Sequence, residues 1–508
     1  MDIVKSFLPE IYFSFAIFLQ LIFNSWFVNG IKFNFPIIYK EITFQIFFIF
    51  IALIFLYSNL KIEGVFFNFL FIVDSTSSFL KILLLIINIC TFFFIVRSIV
   101  LERINSYEYF TLFLLSLLGL LLLINATDLI SAYLLIELQA LCFYVLASFK
   151  RNSSFSTEAG LKYFIAGSFI SGIYLMGASL IYLSLGTLNF NNIFCLLSFD
   201  FSSSNFAYFT IFCDLGILFV TFALLFKLTA APFQFWAPDV YEGAPLASTI
   251  IFSIIPKISF FVFFSRWIST VSSSFVYTNY LILFFAILSI FLGALFAINQ
   301  KRLKRFILFS SLAQVGFLLI PFFLIDSDCV ASLFFFILVY IITSILIWGN
   351  LISFYESFKN FKSFLPQLVS VFYISNLAGL SKINKLKSVS FLIIFFSVSG
   401  IPPLTGFLAK IFIIFHLLES NEILISILVF VLNMISVYYY LRIIKIIFFE
   451  DKNIKSSNLT FQMTYNSFLS ETSESILVLL LIMLIYVFFD PTFFYLCSQY
   501  FAITIDMF

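Results

Sequence analysis

Three lysines lie inside strongly apolar sequence, where a charged side chain is costly. Lys227 stands in FALLFKLTAAP, Lys257 in IIPKISFF and Lys410 in PPLTGFLAKIFII. On membrane-insertion scales a central lysine costs roughly 2.5–3.5 kcal/mol, so three of them predict a use for the ammonium group. That use is proton exchange, because burial penalises the charged form and a modest change in nearby charge then makes the lysine take or release a proton. The alternative for each is a side chain that reaches from a helix end to the membrane interface.

Glu137, in SAYLLIELQALCFYVL, is the one carboxylate that the sequence places deep in its predicted helix, with no basic residue three or four positions away. Its partner is expected on another helix, because a glutamate that faces a lysine shifts the proton affinity of both groups. The alternative is a static contact that holds two helices together. His416 is the one histidine of the chain and follows Lys410 by six residues. It could pass a proton toward an exit, although a lone interfacial histidine also occurs as a structural residue.

The remaining chemistry-bearing residues predict no metal site and no redox cofactor in this chain. Five acidic residues lie near predicted helix ends or in loops, where solvation at the surface is the simpler interpretation: Asp74, Asp128, Asp214, Asp239 and Glu242. Asp214 could also line an entry path for protons. The six cysteines stand singly, without a CxxC pair: Cys90, Cys142, Cys195, Cys213, Cys329 and Cys497. A haem-binding histidine pair, a glycine-rich dinucleotide fingerprint and a basic nucleic-acid surface are also missing from the sequence.

The elements that must position these side chains are membrane-spanning helices. Of 508 residues, 63% are hydrophobic and 10% are charged, whereas a soluble domain is about 25% charged. Continuous apolar runs favour helices over a barrel, whose strands would alternate. We predict about fourteen spans, near residues 11–28, 42–59, 76–97, 109–125, 128–148, 160–184, 208–230, 245–266, 277–298, 305–325, 328–349, 388–417, 422–448 and 474–496.

The distribution of lysine and arginine predicts which loops face the inside of the membrane. Basic residues gather on the cytoplasmic or matrix side. Of the 27 lysines and arginines, 20 follow odd-numbered spans, and only Lys5, Lys61, Lys81 and Arg266 fall on the other side. This asymmetry places both termini on the outer face. It leaves the three lysines of the apolar segments without a place in either group.

Helix breakers interrupt the predicted spans at two corresponding places. One group follows span seven and the other interrupts span twelve: Pro232, Pro238, Gly243 and Pro245, then Gly400, Pro402, Pro403 and Gly406. Spans four to eight and nine to thirteen form two sets of five, and an odd number inverts the second set. The predicted division is a three-helix bundle at 1–104, a first repeat at 105–270, a second repeat at 271–450, and a last helix with its tail at 451–508.

Four motifs resemble one known family. They are LLIELQALCFYVLASFK, FKLTAAPFQFWAPDVYEGAPLAS, NQKRLKRFILFSSLAQVGFLL and SGIPPLTGFLAKIFI, within a resemblance that covers roughly residues 105–450. The sequence is similar to the antiporter-like membrane-arm subunit 2 family of the respiratory NADH:ubiquinone oxidoreductase, complex I. WAPDVYEGAP is the most specific part, because the sister subunits 4 and 5 and the Mrp-type antiporters carry a different sequence at that loop.

The resemblance implies a proton-translocating subunit driven by quinone reduction elsewhere in the complex, without a redox centre of its own. It assigns an entry-side glutamate to Glu137, its partner lysine to Lys227, the central lysine to Lys257 and the exit-side lysine to Lys410. It also implies fourteen helices in two inverted repeats, with helices seven and twelve broken. NADH, FMN, iron-sulfur clusters and ubiquinone would be bound by other subunits.

The implied location is the mitochondrial inner membrane, or the plasma membrane of a bacterium. The implied partners are subunit 4 and 4L-type neighbours, accessory subunits and lipids such as cardiolipin. Three alternatives remain at this stage: a stand-alone Mrp-type cation/proton antiporter, a structural subunit with inert lysines, and a quinone-binding redox protein.

Overall fold

The computed structural model describes residues 5–28, 36–60, 62–102, 104, 106–198, 207–271, 276–324, 326–361, 373–450 and 467–505. Within these ranges the chain is almost entirely helical, with one antiparallel pair of strands, β1 (Gly64–Phe66) and β2 (Phe71–Val73). Three short 3-10 turns are also present: Phe233–Trp236, Ile320–Phe323 and Ile374–Leu377.

Nineteen helices are defined in the described ranges. They are α1 (Leu8–Val28), α2 (Pro36–Ser58), α3 (Ser75–Glu102), α4 (Glu108–Leu123), α5 (Leu129–Ala147), α6 (Ser154–Leu185), α7 (Phe190–Leu197), α8 (Ala207–Lys227), α9 (Ala237–Gly243), α10 (Leu246–Val271), α11 (Val276–Asn299), α12 (Leu303–Leu319), α13 (Ser327–Phe361), α14 (Leu380–Ile383), α15 (Lys385–Ser399), α16 (Thr405–Glu419), α17 (Ile423–Phe449), α18 (Ser467–Phe489) and α19 (Thr492–Ile505).

Among the described residues, 11 helices are long and apolar enough to cross a membrane. The three remaining predicted spans correspond to the shorter apolar helix α4, to α8, and to α15 with α16, which form one interrupted segment. Lipid offers no hydrogen bonds, so a span satisfies most of its backbone polar groups within its own helix, and carbonyls that a proline leaves unpaired need a donor from another segment. The predicted class, an all-α polytopic membrane protein, is confirmed.

The chain forms two compact units. The first comprises Met1–Thr229, Phe233–Leu281 and Ile503–Phe508, and the second comprises Ala230–Pro232 and Ile282–Ala502. Helices α1 to α10 therefore lie in the first unit, and α12 to α18 lie in the second. The four-part division made from the sequence stays a prediction, and two of its boundary residues, 105 and 451, lie outside the described residues.

Small residues bring two helices of the first unit close together. A Cβ placed on Gly177 of α6 would lie 2.8 Å from Gly216 O of α8, and a Cβ on Gly216 would lie 2.9 Å from Gly177 O. Such approaches between spanning helices need glycine or other small residues, because the backbones themselves are in contact. The contact holds α8, whose last residue is Lys227, against α6.

The start of α5 is fixed by a cap and by the strand pair that precedes it in the chain. The Asp128 carboxylate accepts the backbone N–H groups of Ile130 and Ser131, at 3.1 and 3.2 Å. This N-cap satisfies two of the four N–H groups that a helix start leaves free. Ile72 N of β2 donates to Asn125 O at 2.9 Å. Together these contacts set the position of α5 and of Glu137 on it.

Both predicted helix breaks are present. The first follows α8, where Thr229 has a φ of +64° and the Ala231–Pro232 peptide is cis. The second separates α15 from α16 at Gly400, whose φ of +81° is a left-handed conformation that glycine adopts without strain. Helix breakers therefore end both segments where the sequence predicted.

Candidate functional site

Lys227 is the last residue of α8 and is half-buried. The C-terminal end of a helix carries a partial negative charge, which favours a cation there. The charge of Glu137 acts on its ammonium. The structure thus places Lys227 at the helix break, as the sequence predicted.

Glu137 lies on α5, and its charge attracts that of Lys227 across the helices. The Oε1 atom of Glu137 is buried without a hydrogen-bond partner in the described residues, and so is the hydroxyl of Tyr144, two turns further along α5. A Cβ on Gly167 of α6 would lie 1.9 Å from that hydroxyl, so only glycine leaves room for the tyrosine. Two buried oxygens without partners mark places that water would satisfy.

Lys227 and Lys257 line one cavity of the first unit, about 30 Å³ in volume. Each buried water needs roughly 10–15 Å³ of such space, so the cavity has room for about two. Its polar lining also includes Gln139, Tyr163 and Tyr241. The buried amide oxygen of Gln139 has no partner among the described residues, which provides another acceptor for a water molecule.

Lys257 lies on α10, whose membrane-spanning stretch is buried inside the protein along its whole length. The residue before it, Pro256, has no N–H and therefore leaves Phe252 O without its normal helical donor. The hydroxyl of Tyr241 donates to that carbonyl at 3.2 Å. A tyrosine of the WAPDVYEGAP loop thus completes the helix one turn before Lys257, and both side chains line the cavity.

Lys410 is buried in the second unit, on α16. Its ammonium donates to Val398 O and Ser399 O at 3.0 Å each, and to Asn433 Oδ1 at 2.7 Å. It also lies 5.0 Å from the centre of the Phe317 ring, which is within range of a cation–π interaction. Lys410 is therefore a fully engaged ammonium group and does not extend to an interface.

His416 lies on the same helix as Lys410, about 9 Å further along its axis by the rise of an α-helix. Its Nδ1 lies 3.1 Å from Glu419 Oε2, and the Glu419 side chain is 56% exposed. The histidine therefore joins the last turn of α16 to a solvated carboxylate. This contact suits a proton carrier and a simple helix-end pair equally well.

The structure brings Glu137, Lys227 and Lys257 together in the first unit, and it places Lys410 and His416 on one helix of the second. The other acidic candidates do not line the cavity. Asp74 forms an ion pair with Arg266 at 3.3 Å, Asp239 forms one with Lys162 at 2.7 Å, and Asp128 caps α5. Glu242 lies in α9, and Asp214 lies two turns inside α8. Burial raises the pKa of the Asp74 carboxyl, and the Arg266 charge partly offsets that effect.

Two basic residues that the sequence assigned to the outer-face group are buried. Lys81 is 1% exposed and forms an ion pair with Glu10, and Arg266 is 3% exposed and donates to Ile124 O at 2.6 Å. The sequence assigned both residues to a side of the membrane only, and their buried partners come from distant segments of the chain. Lys61, in the same group, lies outside the described residues.

Buried polar partners were missed as well. Glu41 is 2% exposed and accepts a hydrogen bond from Gln20, so Glu137 is not the only deeply buried carboxylate. Asn433 and Tyr241 were also missed, although Asn433 is a polar side chain in apolar sequence and Tyr241 belongs to the WAPDVYEGAP loop. Among the described residues, no group of three or more His, Cys, Asp and Glu side chains could hold a metal ion.

Comparison with known proteins identifies the family. Residues 126–436 match the family model described as NADH:quinone oxidoreductase/Mrp antiporter, TM. The chain belongs to this family. It is 36% identical over 451 residues to NADH-ubiquinone oxidoreductase chain 2 of Marchantia polymorpha, covering 87% of this chain and 88% of that one. It is 35% identical over 385 residues to NADH-quinone oxidoreductase subunit N of Pelagibacter ubique, covering 76% and 78%.

Two solved structures share the fold. A chain of respiratory complex I from Thermus thermophilus gives a TM-score of 0.71 at 21% identity, covering 97% of each chain. A chain of the Mrp complex from Dietzia gives a TM-score of 0.80 at 16% identity, covering 99% of this chain and 98% of that one. At these identities the likeness concerns fold alone. The sequence relatives are oxidoreductase subunits, so the Mrp-type alternative is less supported.

The family membership and the apolar helices together show to which complex and to which membrane the chain belongs. It is an antiporter-like membrane subunit of an NADH:quinone oxidoreductase. It is a multi-pass protein of a mitochondrial inner membrane or a bacterial plasma membrane.

Proposed function

We propose that the chain moves protons from the matrix or cytoplasm to the outer side through Glu137, Lys227, Lys257 and Lys410, driven by quinone reduction in other subunits. The observation that carries this proposal is the single cavity lined by both Lys227 and Lys257, with Glu137 close enough to attract Lys227. Both lysines border space for water, through which a proton can pass from one to the other.

Glu137 and Lys227 form the entry pair. When the two side chains approach, each stabilises the charged form of the other, and when they separate the lysine loses that support. Lys227 lies beside a helix break, where the backbone can adjust without the loss of a continuous helical ladder. A change in charge or geometry at this pair therefore controls whether Lys227 holds or passes its proton.

The cavity connects Lys227 to Lys257. About two waters fit in its 30 Å³, enough to bridge two polar side chains by hydrogen bonds. The lining oxygens of Gln139, Tyr163 and Tyr241 can orient those waters. The aromatic and aliphatic remainder of the lining keeps the path narrow, so that protons pass and larger ions do not.

The second unit supplies the exit-side lysine, Lys410, and beyond it His416. The histidine pairs with the exposed Glu419, which opens onto solvent at the end of α16. We propose His416 as the last carrier on this route. Because its neighbour is solvated, a proton that reaches the histidine can leave without crossing further apolar sequence.

Redox chemistry is assigned to other chains of the complex. NADH, FMN, iron-sulfur clusters and ubiquinone would be bound there, and subunit 4, a 4L-type subunit, accessory subunits and lipids such as cardiolipin would surround this chain in the membrane. Within it, residues 1–104 would form a supporting bundle, 105–270 and 271–450 the two repeats, and 451–508 the last helix and tail. The family membership supports the proposals on cofactors and partners, and the order of the predicted spans supports the division.

The test is the replacement of the cavity lysines in the assembled complex. Lys227→Met and Lys257→Met should each lower NADH-driven proton uptake by inverted membrane vesicles at least about ten-fold through this subunit, because each loses a group that binds the transferred proton. Glu137→Gln should lower the uptake less, because it removes the partner and keeps the lysine.

A matched control removes a buried lysine of the same unit outside the cavity. Lys81→Met combined with Glu10→Gln deletes a buried ion pair and should leave proton uptake per assembled complex unchanged. If Lys257→Met assembles and pumps like the wild type, the lysines are structural and the proposal is wrong.

A further inference from the structure

Lys410 is held by three oxygen atoms, one for each N–H bond of an ammonium group. Val398 O and Ser399 O lie 3.0 Å from Nζ, and Asn433 Oδ1 lies 2.7 Å away. Lysine ammonium has three donors and no acceptor. A neutral amine in this place would have two N–H bonds for three oxygens and would turn its lone pair toward the third. The site is therefore complementary to the protonated form.

Two of these oxygens are fixed by the helix break. In a continuous helix Val398 O and Ser399 O would accept from residues 402 and 403, but both positions are prolines without an N–H. The last backbone N–H groups before the prolines, those of Gly400 and Ile401, donate to Phe396 O and Ser397 O and so do not reach these two carbonyls. The two carbonyls nearest the break are thus left for the ammonium of Lys410, which lies at the negative end of α15.

The third oxygen comes from a side chain. Asn433 lies on α17, is 8% exposed, and its Oδ1 also accepts the hydroxyl of Ser436 at 3.0 Å. It is a neutral acceptor in a place where a carboxylate would form an ion pair with Lys410. Unlike the backbone carbonyls, it can turn away from the ammonium without a change in the broken helix.

We propose that Asn433 is a positioning residue that sets the proton affinity of Lys410, holding the ammonium by one neutral hydrogen bond that can be released. The inference rests on the proposed function of Lys410 as a proton carrier. A neutral acceptor retains the proton less firmly than a counter-charge does, and more firmly than an apolar side chain does. Proton transfer from Lys410 accordingly includes the loss of the Asn433 contact.

The test compares Asn433→Asp, Asn433→Leu and the conservative Asn433→Gln in the assembled complex. A carboxylate at contact distance should raise the proton affinity of Lys410 roughly a thousand-fold, and loss of the hydrogen bond should lower it roughly ten- to a hundred-fold. Both variants should therefore lower NADH-driven proton uptake per assembled complex at least about ten-fold. Asn433→Gln keeps an amide oxygen and should therefore retain most of the wild-type proton uptake.

Two further measurements separate a direct effect from a packing effect. Asn350→Leu is the matched control, because Asn350 is also buried in the second unit but bonds to Leu346 O and Ser390, and its uptake per assembled complex should equal the wild type. In a Lys410→Met background, Asn433→Asp should cause no further loss of uptake, because it acts through the lysine.

Wild-type uptake by Asn433→Asp, beside a clear deficit in Lys410→Met, would overturn this inference and leave the proposed function standing. Wild-type uptake by Lys410→Met itself would overturn both. A further loss caused by Asn433→Asp in the Lys410→Met background would also overturn the inference, because the residue would then act through packing.

Discussion

The hydroxyl of Tyr241 provides a prediction that can be tested with a double-mutant cycle. It donates to Phe252 O at 3.2 Å, the carbonyl that Pro256 leaves without a helical donor. Tyr241→Phe removes only the hydroxyl, so the ring packing stays and the carbonyl loses its partner. Phe252 is 6% exposed and lines the cavity, so a water held in that cavity is the one substitute for the lost donor.

The expected loss of stability follows from the burial of that carbonyl. An unsatisfied buried polar group costs about 1–3 kcal/mol, whereas the net value of a satisfied hydrogen bond is about 1 kcal/mol. Pro256→Ala restores an N–H at the fourth residue after Phe252 and so supplies a helical donor. In that background the carbonyl keeps a donor, so Tyr241→Phe should lower stability less than in the wild type, by up to about 2 kcal/mol, and this difference is the coupling energy between the two positions.

The measurement uses a buried thiol of the same unit. Cys142 lies on α5 and is 3% exposed, so its labelling by a thiol reagent reports the opening of the unit. Mass spectrometry of the labelled complex over a denaturant series resolves Cys142 from the other cysteines and gives the free energy of opening for all four proteins of the cycle. An equal cost of Tyr241→Phe with and without Pro256 would refute the reasoning.

The same labelling assay and simple expression measurements test three other contacts. Lys81→Met leaves Glu10 buried without its cation and should lower the free energy of opening by about 3–5 kcal/mol. Adding Glu10→Gln to the same chain should restore most of that free energy; if it does not, the broken ion pair is not the cause of the loss. Gly406→Ala would place a Cβ 1.8 Å from Ser397 O, so the two halves of the broken span must separate and the amount of assembled subunit in the membrane should fall; an unchanged amount would contradict the close contact. Asp128→Ala should cost about 0.5–2 kcal/mol and Asp128→Asn less, because asparagine keeps an N-cap acceptor; the reverse order would be inconsistent with capping.

Much of the fold was predictable because lipid allows few solutions. A long apolar run must form a helix there, so span number and order followed from composition, and the breaks followed from proline and glycine. The strand pair between α2 and α3 was not predicted. Its turn places Phe67, Asn68 and Phe69 at φ values of +53°, +54° and +66°, without the glycine that usually signals such a turn. Apolar residues around it resemble the spans on either side.

The candidate site was predictable only in part. The predictable part consists of residues whose charge is energetically costly in the membrane. Lys227, Lys257 and Lys410 stood out because an isolated cation in apolar sequence is expensive. Lys81 was missed because Glu10, 71 residues away in the chain, compensates its charge. Neutral partners such as Asn433 carry a smaller penalty, and no local pattern distinguishes them from residues that pack between helices.

In both units, prolines leave backbone carbonyls of a spanning helix without their helical donors. In the first unit, Pro256 frees Phe252 O and Tyr241 takes it, one turn before Lys257. In the second, two prolines free the carbonyls of Val398 and Ser399, and Lys410 takes both itself. Lys410, the proposed proton carrier of the second unit, is therefore part of the hydrogen bonding of the broken helix, whereas in the first unit a tyrosine has that role. It follows that in the proposed transfer Lys410, as a neutral amine, keeps two N–H bonds for the carbonyls of Val398 and Ser399 and loses only the contact with Asn433, so the broken helix keeps its donors.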